Sequence, residues 1–182
     1  MLKAIYTLRA DSNRYKSLVI PDITDRKKFE LMDGRTLHET WLPPKVDVDR
    51  EEGRGEFSTG DFPSLLRHAP VFSTRAIEEL GGVLKKHGEV LPLVCKNCEG
   101  GPYFVYNLTT IVDALDKEKS EIKYFSTGRV MRVVRYAFLD DKLNDFVIFK
   151  IPELPKSEVF VTDRFISAVE SSHLSGFQFE RV

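Results

Sequence analysis

Cys95-Lys-Asn-Cys98 is the sharpest chemical signal in the chain. Two thiolates at this spacing can share a metal ion or cycle between dithiol and disulfide. A zinc ribbon needs a second such pair, and the sequence has only these two cysteines. A mixed cysteine–histidine site needs two of His38, His68, His87 and His173 to converge, and none has the H-x3–5-H spacing. A thioredoxin-type pair opens a helix, whereas Glu99-Gly-Gly-Pro102 follows here and reads as a turn. An inert pair on a hairpin is therefore the leading reading, with a metal contact and redox chemistry as alternatives.

No other motif assembles a catalyst. The histidines are isolated in sequence. Gly55-Glu-Phe-Ser58-Thr-Gly60 lacks the spacing of a nucleophile elbow, and Gly53 and Gly55 do not continue as a dinucleotide fingerprint. No phosphate loop, HExxH or calcium loop is present. We therefore expect no catalytic residues, no metal site and no cofactor.

Two charged stretches suit binding better. In Gly128-Arg129-Val-Met-Arg132-Val-Val-Arg135-Tyr136, a strand would turn Arg132 to the face opposite Arg129 and Arg135. Arginines in an apolar strand must pair or reach solvent, so structural ion pairs are the plainer expectation and an anion or partner site the sharper one. The segment Val46 to Gly60 sets Asp47, Asp49, Glu51, Glu52 and Glu56 against Arg50 and Arg54, a local charge of −3. It reads as an exposed loop, and Asp47, Asp49, Glu51 and Glu52 are the expected contacts for a basic protein partner. Unlike charges speed encounter, an effect that salt weakens.

The elements that carry these residues belong to a chain of 182 residues, 42% hydrophobic and 30% charged. That content excludes a disordered chain, a coiled coil and a collagen-like fibre. Lys+Arg number 27 and Asp+Glu 28, a net charge of −1, which argues against nucleic acid or an acidic membrane as partner. Residues 1–9 are too short and polar for a signal peptide, and no apolar run is long enough to span a bilayer. The expected location is the cytoplasm, and the low cysteine count fits a reducing compartment.

Ser73 is suited to cap a helix over about 73–87, with Ala76, Ile77, Leu80 and Leu84 on one face and His87-Gly88 at its end. Gly81-Gly82 weakens that helix unless it permits close packing on a sheet. Thr162, Asp163 and the pair Val161/Ile166 predict a second helix over about 163–173. Short helical pieces are expected at 61–66 and 109–115. Strands are expected at 2–8, 17–20, 69–72, 89–95, 102–107, 122–125, 130–139, 147–151, 159–161 and 177–180. Pro43-Pro44 leaves 43–60 irregular. Strands and helices do not alternate, so we expect one α+β domain over 1–182, with a mixed, mostly antiparallel sheet and two principal helices.

Several short segments, in this order and spacing, resemble a known family. They are Gly60-Asp-Phe-Pro-Ser, Ala69-Pro-Val-Phe-Ser-Thr-Arg-Ala-Ile-Glu-Glu-Leu80 and Leu91-Pro-Leu93. Tyr103-Phe-Val-Tyr-Asn107, Val112-Asp-Ala-Leu-Asp116, Ile151-Pro-Glu-Leu-Pro-Lys-Ser-Glu-Val-Phe-Val161 and Gly176-Phe-Gln-Phe179 follow. Together they resemble immunity-protein family eleven of bacterial polymorphic toxin systems. The resemblance implies an α+β domain that protects its producer from a cognate toxin, and it carries over no catalytic residue. A cytosolic immunity protein acting by tight stoichiometric binding is the resulting expectation. The alternatives are an enzyme that reverses a toxin's modification, using Arg132, Arg135, Asp113 and a histidine, or a structural module of a bacterial assembly.

Overall fold

The computed structural model describes residues 4–49 and 57–182. In chain order these form β1 (Ile5–Ala10), β2 (Leu18–Val19), α1 (Ile23–Phe29), β3 (Asp47–Val48) and β4 (Val71–Ser73). Next come α2 (Thr74–His87), β5 (Gly88–Pro92), β6 (Tyr103–Leu108), β7 (Glu121–Tyr124) and β8 (Val130–Arg135). A 3-10 turn (Asp140–Leu143) leads to β9 (Ile148–Phe149), β10 (Phe160–Thr162), α3 (Asp163–Ser171) and β11 (Phe177–Arg181). The class is α+β. Every strand ladder is antiparallel, and isolated bridges such as Lys45–Val94 and Ile111–Lys150 are parallel. In place of one mixed sheet the described residues form four small ones, ordered β11-β1-β10-β9, β4-β6-β5, β2-β3 and β7-β8.

The two principal helices form where their caps and apolar stripes predict. Ser73 Oγ accepts the Ala76 amide at 3.1 Å, and α2 buries Ala76, Leu80 and Leu84. Gly88 ends it for want of space: a Cβ there would lie 2.4 Å from the Asn107 carbonyl, because β5 begins at once beside β6. A Cβ on Gly81 or Gly82 would meet nothing within 4 Å, so these glycines do not serve close packing. In α3, Phe165 and Val169 face inward, but Thr162 makes no side-chain cap bond and its Oγ1 is buried without a partner among the described residues.

Two local expectations fail and one helix goes unpredicted, each for an identifiable reason. Helix α1 was hidden because it has no apolar stripe: Phe29 is buried, Ile23 is exposed, and Asp22 caps it by accepting the Thr24 amide at 2.6 Å. Residues 109–115 are extended rather than helical, tied by the bridges Ile111–Lys150 and Leu115–Phe138. Residues 61–66 hold no helical turn. Asp61 instead gathers partners from distant parts of the chain.

That gathering joins the two helices. Asp61 Oδ1 accepts Ser73 Oγ at 2.8 Å. Its Oδ2 accepts the Ser175 amide at 2.9 Å and Arg75 Nη1 at 3.1 Å. Arg75 also donates to the Ser172 and His173 carbonyls just beyond α3. Around this hub Phe62 stacks on Phe177, with ring centroids 4.5 Å apart. Gly176 takes φ +87°, and a Cβ there would press to 3.0 Å from the Phe62 carbonyl oxygen. The main core lies where α2 and α3 cover Tyr106, Leu108, Ile148 and Val161. A second core holds Phe29, Met32 and β4–β6 residues, and a third holds Phe149, Phe160 and Ile151.

Candidate functional site

Of the four acidic residues expected to meet a partner, Asp47 and Asp49 fall in or beside β3, while Glu51 and Glu52 lie outside the described residues. Asp47 and Asp49 are half-buried, so this end of the segment is folded against β2 and is not a free loop. Asp47 Oδ1 accepts the Val48 amide at 2.9 Å, and the Asp49 amide donates to the Ser17 carbonyl at 2.8 Å. Asp47 also lines an open depression of about 210 Å³ with Pro21, Lys45, Val46, Val94 and Lys96.

Cys95 and Cys98 are joined in a disulfide, with Cα atoms 5.6 Å apart, where a reducing compartment predicts free thiols. The turn itself brings the two residues within bonding range. Among the described residues no three His, Cys, Asp or Glu side chains converge as for a metal ion. The histidines are dispersed into separate structural contacts. His38 Nδ1 lies 2.7 Å from Glu89, His68 Nε2 lies 3.1 Å from the Phe29 carbonyl, and His87 Nδ1 lies 3.3 Å from Thr110. Burial pushes both His68 and His87 below the usual imidazole value. Burial pushes Glu89 upward, but bonds from the Leu37 amide, Asn107 and His38 outweigh it and leave the carboxyl below its usual range. Glu89 thus pins residues 37–38 onto β5 and β6.

The most unusual surface is the hairpin β7–β8. Of eleven exposed large hydrophobic residues among those described, four lie on this hairpin, Tyr124, Phe125, Met131 and Val134, and Leu139 follows just beyond it. Such clustering on one element marks an interaction surface more than chance exposure does. Ile122 and Val133, directly opposed, are partly buried against the third core and anchor the hairpin. Two irregularities interrupt the ladder, between Glu121 and Ile122 and between Lys123 and Tyr124. Such bulges twist a ribbon and re-aim its side chains. At the tip the Phe125 amide donates to the Arg129 carbonyl at 2.8 Å, and Gly128 takes φ +82°.

The arginines do not behave as the plainer expectation had it. Arg129, Arg132 and Arg135 are exposed and make no ion pair with any described residue. Arg132 stands directly opposite Lys123. The strand register therefore opposes two like charges, an arrangement that costs stability. The apolar half of this surface escaped the sequence reading, because valine and methionine in a strand signal a core face as readily as an exposed one. The available signal was Val130-Met-Arg-Val-Val-Arg135, whose apolar residues do not alternate cleanly with the arginines.

Residues 93–182 match the Immunity protein family (Imm11). The match agrees with the resemblance read from the quoted segments. It covers β6–β11 and α3, and so includes the hairpin; β1, α2 and the acidic segment lie outside it. No curated protein matches the chain.

Proposed function

We propose that this chain is an immunity protein that neutralises a cognate bacterial toxin by direct stoichiometric binding, without catalysis. The match of residues 93–182 to an immunity family carries the reading. The dispersal of His38, His68 and His87 into separate structural contacts, with Glu89, the Phe29 carbonyl and Thr110, supports it. The chain would act in the cytoplasm of the toxin's producer, and no helix among the described residues is long and apolar enough to cross a membrane.

Co-expression with the toxin encoded beside it tests the proposal. Rescue of growth together with co-purification in a fixed ratio is the expected outcome. Rescue with no complex would instead favour an enzyme that undoes the toxin's damage. In the binding reading, Asp47, Asp49, Glu51 and Glu52 meet basic residues of the toxin. Reversing all four to lysine should slow association about tenfold at low salt. An unchanged rate and salt dependence would remove this segment from the contact surface.

A further inference from the structure

The geometry points to the β7–β8 hairpin as a docking arm for an acidic protein surface, with the aromatic tip as its anchor. The inference rests on the binding reading above and names the part of the chain that carries it. The first ground is charge. Between 121 and 135 the chain holds Lys123, Arg129, Arg132 and Arg135 against Glu121, a local charge of +3 in a protein of net charge −1. None of the three arginines forms an ion pair with a described residue; Arg135 stands across from Glu121, whereas Lys123 and Arg132 face each other across the ladder. A carboxylate-rich partner would relieve that repulsion on docking and gain charge-assisted hydrogen bonds from the guanidinium groups.

The second ground is apolar area at the same place. Tyr124 is 51% exposed, Phe125 47%, Met131 44% and Val134 48%. Aromatic, methionine and arginine residues are the types that dominate binding energy when covered by a partner. The third ground is shape. Among the described residues the two strands pair only with each other, so neither outer edge is covered by another described strand. Aliphatic Met131 and Val134 among the arginines fit a protein surface better than a nucleic acid, for which stacked rings and a wider basic field would be expected.

The cross-strand repulsion provides a test that separates binding from structure. Arg132→Glu places a carboxylate opposite Lys123, so an exclusively structural role predicts a more stable hairpin and unaltered binding. The docking role predicts a melting temperature at or above wild type together with weaker binding. Association and dissociation rates with the toxin encoded beside the gene would be measured at low and physiological salt. Arg132→Glu with Arg135→Glu should slow association at least tenfold and flatten its salt dependence. Tyr124→Ala with Phe125→Ser should speed dissociation at least tenfold. Arg132→Gln with Arg135→Gln, which introduces no new charge, should show the association defect in milder form and covers the case in which the double reversal does not fold.

If wild type binds and every variant binds within twofold of it, the docking arm is overturned while the immunity reading stands. If wild type neither binds nor protects, both fall. A salt-dependent complex with a single-stranded RNA oligonucleotide, lost in the arginine variants while toxin binding survives, would reassign the hairpin to nucleic acid and overturn the proposal.

Discussion

Lys150 is fully buried, a rare state for an ammonium group. Its Nζ donates to the Met32 carbonyl at 2.9 Å, and its backbone exchanges bonds with Thr110 and Val112. One side chain thus bridges the second and third cores. Burial pushes its pKa down to about 8, while Asp33 nearby pulls the other way. Because the folded value is depressed, the unfolded chain binds more protons between about pH 8 and the ordinary lysine value, and stability rises with pH across that window. Lys150→Met abolishes the effect. Urea denaturation from pH 7 to 10 should show wild type gaining on the variant by up to roughly 3 kcal/mol. Parallel curves for the two proteins would mean that Lys150 does not titrate there. Nothing in Phe149-Lys-Ile151 distinguishes this lysine from an exposed one, since its burial comes from Met32, far away in the chain.

Helix α2 was legible because its signals are local: a serine cap, an apolar stripe and a terminal His-Gly. Its two internal glycines do not serve the close packing that would justify them there. With open space at both Cβ positions, Gly81→Ala and Gly82→Ala should each stabilise by up to about 1 kcal/mol, seen as a melting temperature higher by a few degrees. A loss of stability in either variant would expose a backbone need not visible in the contacts. Thr162 teaches the opposite lesson at α3. Its type and position suit a cap, yet its hydroxyl is buried without a partner among the described residues. Thr162→Val should therefore leave stability unchanged or slightly raised in chemical denaturation, whereas a working cap would cost about 1 kcal/mol on removal. The hairpin was legible as a hairpin but not as a surface. Period-two patterns locate strands without saying which face is covered.

The fold class was legible from the irregular succession of strands and helices, but its long-range joins were not. Asp61 binds Ser73, Arg75 and Ser175, linking the start of α2 to the segment after α3. Several of the segments that carry the family resemblance converge here, so Gly60-Asp61 and Gly176 have a physical reason to stand where they do. A Cβ on Gly60 would lie 2.8 Å from the Tyr15 ring, and Gly176 presses on the Phe62 backbone. Asp61→Ala would leave Arg75 and the Ser175 amide without their shared acceptor, at a cost of about 2–4 kcal/mol by denaturation. A cost under about 1 kcal/mol would mean that solvent replaces the carboxylate at this join. Acid should weaken the whole assembly in two stages. His68 and His87, held neutral by burial, oppose folding as pH falls below about 6.5. Asp25, Asp33, Glu89 and Asp116, whose folded values are depressed, withdraw stability at lower pH as they take up protons.

Strand β1 lies between β10 and β11, so it is completed only by strands far along the chain. Those partners are roughly 150 residues away, a separation that slows folding through loop-closure entropy. During synthesis at roughly 5–20 residues per second, β1 would wait about 8–30 s with both edges bare. Newly made chains would need shelter from chaperones over that interval. A ribosome that stalled before Phe160 would release a product in which β1 lacks both of its neighbours, so a truncated chain would carry a bare strand rather than a smaller version of the fold.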